Sequence, residues 1–144
     1  MTDRAAADST GGCLCGAVRY AVRRGALRPV VACHCTQCRR VTGHYLAATA
    51  ARRSDFRLLE DSGLKWYDSS SQARRGFCGH CGSTLFWQPH GRDYLSIAAG
   101  SLDDSSALTL ACHIFVADKG GYYQIEPGVP QIQDGNFSVS LPDP

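Results

Sequence analysis

Short stretches of alternating apolar and polar residues follow one another along most of the chain, and glycine-marked turns separate them. A period of two is typical of strands that bury one face, whereas an amphipathic helix places apolar residues every three to four positions. The strands predicted from this pattern span residues 17–22, 30–35, 45–50, 56–60, 64–67, 75–78, 84–88, 94–98 and 113–116. A single short helix is predicted over residues 36–42, with a cap at Thr36 and an end at Gly43. The pattern therefore predicts a mainly β fold.

The length of 144 residues favours a single domain. Residues 1–10 are small and polar, and we expect a disordered N-terminal lead there. Residues 11–125 form the predicted folded domain. Residues 126–144 are rich in proline, glycine and glutamine, and we expect this tail to wrap around the surface.

Composition and charge exclude several classes of partner. The formal net charge of +2 gives no electrostatic reason to expect nucleic acid. No apolar run approaches the roughly 20 residues that a membrane helix needs, and the N-terminal residues contain no apolar stretch of the signal-peptide type. We therefore expect a cytoplasmic protein that binds neither nucleic acid nor membrane.

Eight cysteines change this ordinary picture, because they are many for a cytoplasmic chain and they are clustered. A reducing compartment disfavours a disulfide framework, so close spacing indicates metal. The clusters are a CxC at 13–15, a CxCxxC at 33–38 and a CxxC at 78–81. Alternate residues of a strand point to one face, and a tight turn brings the two sulfurs of a CxxC together. Thiolates are soft ligands that favour tetrahedral zinc.

The spacing predicts two metal sites with different tasks. One set lies within six residues and can converge on one ion: Cys33, Cys35 and Cys38. Two pairs remain and together make a four-sulfur set: Cys13, Cys15, Cys78 and Cys81. A closed four-cysteine site is typical of structural zinc, whereas three protein ligands and an open position are typical of catalytic zinc. The sequence also allows other pairings, and a fourth ligand such as Cys112 would make the second site structural.

In this order, the motifs resemble those of the glutathione-dependent formaldehyde-activating enzyme family, which includes centromere protein V. The matching stretches are GGCLCGAVRY at 11–20, CHCTQCRRVTG at 33–43, FCGHCGSTLFW at 77–87 and, more weakly, HIFVADKGGYYQI at 113–125. The resemblance implies a zinc-held fold of β-sheets splayed like a tent. It also implies a structural zinc on the four-cysteine set and a second zinc, where glutathione binds, on the three-cysteine set.

The resemblance further implies a carbon–sulfur lyase that joins glutathione and formaldehyde to give S-hydroxymethylglutathione, so the predicted partners are a small thiol and a small aldehyde. The predicted catalytic residues are the cysteines of the second set and His44, a candidate acid for the new hydroxyl. His34 alternates with Cys33 and Cys35 and should face away from the metal. His80 is expected to be exposed.

Several other residues favour structural roles or remain open. Cys112 and His113 are expected to be buried in the core, and the aromatic residues Trp66, Phe86 and Trp87 are expected to pack there. Arg39 and Arg40 follow the second cluster and are candidates for attracting an anionic substrate. The alternative function is a non-catalytic, zinc-stabilised module that binds a protein. A zinc-ribbon nucleic-acid binder is disfavoured, because it needs paired CxxC knuckles and a basic face.

Overall fold

The computed structural model describes residues 7–144, and this part of the chain contains ten strands and one α-helix. The strands are β1 (Ser9–Gly12), β2 (Arg19–Val22), β3 (Val30–Cys33), β4 (Leu46–Arg52), β5 (Phe56–Glu60), β6 (Leu64–Asp68), β7 (Ala73–Cys78), β8 (Thr84–Pro89), β9 (Tyr94–Ala98) and β10 (Leu110–Ile114). Helix α1 (Thr36–Thr42) follows β3. The mainly β prediction is confirmed. No helix in the described residues is long and apolar enough to cross a membrane.

The strands form two sheets. The smaller sheet has the order β1-β2-β5, and the larger has the order β10-β3-β4-β9-β8-β7-β6. Neighbouring strands are antiparallel except for β10, which runs parallel to β3 at one edge of the larger sheet. The larger sheet therefore combines strands from residues 30–114.

The main core lies between the two sheets. Tyr20 from β2 is fully buried and contacts Phe56 and Phe86, with ring centroids 5.7 and 5.4 Å apart. The hydroxyl of Tyr20 forms a hydrogen bond of 2.7 Å with that of Ser101, which satisfies its polar end. Ile97 from β9 is also fully buried in this cluster. The main core thus covers one face of the larger sheet, and the opposite face is not part of it.

The C-terminal tail packs near the β3–β10 edge of the larger sheet. Its side chains Ile132, Phe137 and Val139 pack against a second buried cluster built from β3 and β10. Backbone hydrogen bonds fix its position, since His113 N–H donates to Pro130 O at 2.9 Å and Ile132 N–H donates to His113 O at 2.8 Å. The tail therefore supplies part of a wall over this edge.

The predicted elements agree well with the structure, with differences at their ends. Strands 56–60 and 94–98 and helix 36–42 have the predicted bounds. Strand β10 ends earlier than predicted because Phe115 adopts a left-handed backbone with φ of 53°. The helix cap is Cys35, whose sulfur accepts from Cys38 N–H, and not Thr36.

Strand β1 was not predicted. It places Ser9 and Thr10 in a strand, so the lead ends earlier than residue 10, while residues 1–6 lie outside the described part. The sequence Ser-Thr-Gly-Gly has a weak strand propensity, which explains the miss. Gly11 is required there by packing: an added Cβ would overlap the Tyr20 hydroxyl and a backbone carbonyl oxygen.

Candidate metal centres and their cavity

The four-cysteine set meets where the two sheets are joined. Two of its members follow β1, and the other two lie at the end of β7 and in the turn before β8: Cys13, Cys15, Cys78 and Cys81. All four sulfurs lie within 4.8 Å of one another, with Cys13–Cys15 at 3.7 Å and Cys15–Cys78 at 3.8 Å. Sulfurs bound tetrahedrally to zinc at about 2.3 Å are about 3.8 Å apart, so the donor set fits this ion.

Hydrogen bonds from neighbouring backbone and hydroxyl groups reach three of the four sulfurs. Cys13 Sγ accepts from Val18 N–H at 3.2 Å, and Cys78 Sγ accepts from two N–H groups of the following turn, each at 3.4 Å. The Ser83 hydroxyl lies 3.2 Å from Cys81 Sγ, and this hydrogen bond is the main cause that lowers the pKa of Cys81 to about 5. The turn closes at Gly82, which has a φ of 81°. The site is therefore organised by its own backbone.

The three-cysteine set forms where β3 leads into α1. Cys33 ends the strand, Cys35 caps the helix and Cys38 lies in its first turn, with all three sulfurs within 4.8 Å. In the described residues, no fourth cysteine, histidine, aspartate or glutamate joins this group. Cys112 instead lies in the apolar cluster beside the tail, where burial raises the pKa of its thiol.

Repulsion between the thiolates of the three-cysteine set favours binding of a cation. Hydrogen bonds from the Cys33 and Cys38 thiols lower the pKa of Cys35, and the same cluster raises the pKa of Cys33, chiefly through Cys35. One thiolate is thus stabilised by its two neighbours, whereas further ionisation meets repulsion between like charges. A soft divalent ion removes that repulsion, so the donor chemistry fits zinc with one open position.

A cavity of about 660 Å³ opens beside this set. Its floor is the face of the larger sheet that points away from the main core, where Arg75, Trp87 and Ser96 are partners in register on adjacent strands. Helix α1 and the tail form other parts of its wall. Cys33, Cys35 and Cys38 all line the cavity, so a group bound there reaches the open side of the cluster.

Two buried arginines line the same cavity. Arg28 is 6% exposed and Arg75 is 5% exposed. Burial lowers the pKa of Arg28. Arg75 Nη2 lies 3.8 Å from Cys38 Sγ and donates to Gln37 Oε1 at 3.3 Å. The cavity therefore combines thiol chemistry with positive charge.

The predicted histidine His44 lies elsewhere. Its side chain is exposed and packs against Tyr45 and Tyr123, with ring centroids 4.5 and 4.4 Å apart. It is not among the residues that line the cavity, so the structure does not bring it together with the cysteines. Arg39 and Arg40 are also absent from the lining, and His80 is exposed as expected.

His34 points away from the cavity, as expected, and is fully buried in a hydrogen-bonded chain. Its Nδ1 lies 2.5 Å from Tyr123 Oη and its Nε2 lies 2.9 Å from His113 Nδ1. Burial and the neighbouring His113 lower the pKa of His34 to about 4, and burial also lowers the pKa of His113. Both rings are therefore neutral near pH 7. Their hydrogen bonds hold the segment between Cys33 and Cys35 on the side away from the cavity.

Sequence reasoning missed the arginines and misassigned one aromatic residue. Phe86 packs in the main core as predicted, but Trp87 is half-buried and lines the cavity. Strand alternation explains the difference, because neighbouring residues of β8 face opposite sides of the sheet. Applying the same alternation to β7 places Arg75 on the cavity side. The alternation of β7 could therefore have identified Arg75, but only if the side of the sheet that carries the cavity had been known.

Comparisons with known proteins bear on the family and on the fold of this chain. Residues 8–118 match the family model described as glutathione-dependent formaldehyde-activating enzyme. A crystal structure of a protein from Rhodobacter sphaeroides is similar, with a TM-score of 0.54 and 23% sequence identity. The similarity covers 85% of this chain and 98% of that one, and at this identity it shows a shared fold alone.

Proposed function

Because this chain belongs to the glutathione-dependent formaldehyde-activating enzyme family, we propose that it is a zinc-dependent enzyme of the carbon–sulfur lyase type. Its proposed substrates are a small thiol such as glutathione and a small aldehyde such as formaldehyde. The observation that supports this most is the three-cysteine set that opens onto a cavity of about 660 Å³. A buried, closed metal site would have no place for a substrate.

The two cysteine sets have different proposed roles. The four-cysteine set would hold a structural zinc, since four sulfurs that lie within 4.8 Å of one another are enough to fill its four coordination positions. Cys33, Cys35 and Cys38 would hold the second zinc at the cavity. Zinc bound there supplies a Lewis acid that favours the thiolate form of a thiol substrate near neutral pH.

In this proposal the cavity positions the thiol and displaces water from its carbon chain. Trp87, Tyr94 and Val31 give it apolar surface on which the carbon chain of a thiol can pack. In the proposed reaction the thiol releases its proton to solvent, the thiolate sulfur bonds to the carbonyl carbon of the aldehyde, and the electron pair of the broken C=O π bond goes to oxygen. That oxygen then takes up a proton.

His44 is retained as the proposed acid for this proton, acting through water because it lies outside the cavity lining. His44→Ala tests the role: we expect a several-fold slower reaction with unchanged zinc content. An unchanged rate would remove His44 from the mechanism and leave solvent as the proton source.

The central experiment measures S-hydroxymethylglutathione formation from glutathione and formaldehyde over the uncatalysed background. Zinc-loaded protein should accelerate the reaction, and Cys38→Ala should abolish the acceleration. Cys112→Ala is the matched control, since that cysteine is buried outside both sets and should retain activity. No acceleration by the unmodified protein, with two zinc ions bound, would refute the proposed activity for these substrates.

A fourth protein ligand at the second site would close it and favour the non-catalytic alternative. The only remaining cysteine, Cys112, lies in the apolar cluster and not in the second cysteine set, which argues against closure. We further propose a cytoplasmic location, because all eight cysteines are free thiols and a reducing compartment keeps them available for metal.

A further inference from the structure

The cavity contains two buried positive charges that have no carboxylate partner. Arg28 and Arg75 are both more than nine-tenths buried. Among residues 7–144, neither guanidinium lies within salt-bridge distance of an aspartate or glutamate. Burying an unpaired charge is costly, so such a group normally faces an anion.

Arg75 is the less satisfied of the two arginines in its hydrogen bonds. Its Nη2 donates to the amide oxygen of Gln37 at 3.3 Å, a long bond to an exposed side chain, and its buried Nε has no partner. Nε and Nη2 form the edge of the guanidinium that binds a carboxylate with two parallel hydrogen bonds. Gln37 Nε2 in turn donates to Ser69 O at 3.4 Å, another long bond, so displacement of this exposed side chain would free Nη2 for a ligand.

Arg28 is held more firmly. Its Nη2 donates to Ala48 O at 3.1 Å and its Nε to Pro29 O at 3.2 Å, while the Phe137 ring lies 5.6 Å from its guanidinium carbon. Both acceptors are neutral carbonyls, so the charge of Arg28 is solvated by dipoles and not neutralised. Arg28 therefore contributes positive potential to the cavity without needing to move.

The other charges at the cavity do not replace a ligand anion. Three thiolates and a divalent ion carry one net negative charge, which Arg75 partly offsets through Cys38. Asp118 also lines the cavity, but it is exposed and lies beyond ion-pair distance of both arginines. Water screens its charge much more than it screens a buried one.

We propose that Arg75 is a specificity-determining residue that binds a carboxylate of the thiol substrate through its Nε–Nη2 edge, with Arg28 as a second positive charge of the cavity. The inference rests on the proposed function, because it assumes that the thiol reaches the three-cysteine set. Arg75 Nη2 lies 3.8 Å from Cys38 Sγ, so the thiol and carboxylate of one small molecule can occupy the two positions together.

The test compares two thiols of the same chain length, one ending in a carboxylate and the other in a neutral hydroxyl group. Isothermal titration of zinc-loaded full-length protein with 3-mercaptopropionate and with 3-mercapto-1-propanol should show at least tenfold tighter binding of the carboxylate. In Arg75→Gln this preference should fall to about one. Arg74→Gln is the matched control, because Arg74 lies on the same strand, stacks on Trp66 and does not line this cavity.

The outcomes separate this inference from the proposed function. Failure of both thiols to bind would overturn thiol binding at the cluster, and the specificity with it. Equal binding of both thiols by the unmodified protein would overturn the carboxylate site alone. A preference that survives in Arg75→Gln would also overturn it, since the carboxylate would then bind elsewhere, for example to the metal.

Zinc content is measured for each variant because Arg75 contacts Cys38. If Arg75→Gln loses zinc, a competition experiment with the unmodified protein tests the carboxylate site instead. Propionate should then displace 3-mercaptopropionate, whereas propanol at the same concentration should not. Lack of competition by propionate would contradict the site.

Discussion

Serine substitutions in the two cysteine sets should have very different effects on folding. Cys78→Ser removes a fully buried sulfur from the four-cysteine set. Cys35→Ser removes one ligand from the three-cysteine set, and the serine hydroxyl oxygen can replace the cysteine sulfur as the acceptor of the helix cap. We expect Cys78→Ser to be largely unfolded and Cys35→Ser to remain folded with one zinc fewer.

The magnitude follows from the positions of the ligands. Cys15 and Cys78 are 63 residues apart, and a cross-link over such a loop is worth about 4 kcal/mol in the chain-entropy model. Structural zinc binding as a whole contributes on the order of 10 kcal/mol, against a total domain stability of about 5–15 kcal/mol. The three-cysteine set spans only six residues, so it constrains the unfolded chain much less.

The assay combines urea unfolding, followed by far-ultraviolet circular dichroism, with zinc per chain measured by mass spectrometry. The unmodified protein should bind two zinc ions and Cys35→Ser one, with a similar unfolding midpoint. Cys78→Ser should lack a cooperative transition. Equal behaviour of the two variants, or a cooperative Cys78→Ser protein with an unchanged midpoint, would refute the division into structural and substrate-binding sites.

Three further substitutions test the fold. Gly11→Ala should destabilise the protein by about 1–3 kcal/mol in urea unfolding, because the new methyl group overlaps the Tyr20 hydroxyl; an unchanged midpoint would contradict this packing. Ile97→Ala should lower the free energy of unfolding by about 2–5 kcal/mol in the same assay. A decrease below about 1 kcal/mol would show that the core can collapse into the space left by the isoleucine side chain. Arg19 lowers the pKa of Asp103 to about 2, so this carboxylate adds stability above its unfolded pKa near 3.8 that is lost as the pH falls to about 2. The pair is half-exposed, so Asp103→Asn should remove less than about 1 kcal/mol of acid-dependent stability, and a titration identical to that of the unmodified protein would show that the pair contributes nothing.

Much of the local structure could be predicted because it depends on near neighbours. The helix over 36–42 follows from its glycine end and flanking residues, and the structure brings together the two cysteine sets expected from spacing. Cysteine spacing is informative because few residues separate the ligands of each motif, so local geometry nearly determines which sulfurs meet.

Long-range pairing was not accessible in the same way. Nothing in the pattern of β4 indicates that it pairs with β9, or that β10 runs parallel to β3. Such neighbours depend on the packing of the complete sheet. For the same reason, the pattern of residues did not indicate which face carries the cavity, so Arg75 was overlooked and Trp87 was assigned to the core.

The place of β10 also has a consequence for synthesis of the protein. This strand is the last of the sheet to be translated, yet it lies beside β3, which is among the first. A nascent chain therefore exposes Cys33, Cys35 and Cys38 well before the strand and tail that wall their cavity have left the ribosome. Pairing across so long a separation is slow, so the three cysteines stay without this wall until β10 and the tail have packed against the sheet. In the order of synthesis the metal-binding motif therefore precedes the wall of its cavity, and a metal ion can reach the three thiols before that wall is in place.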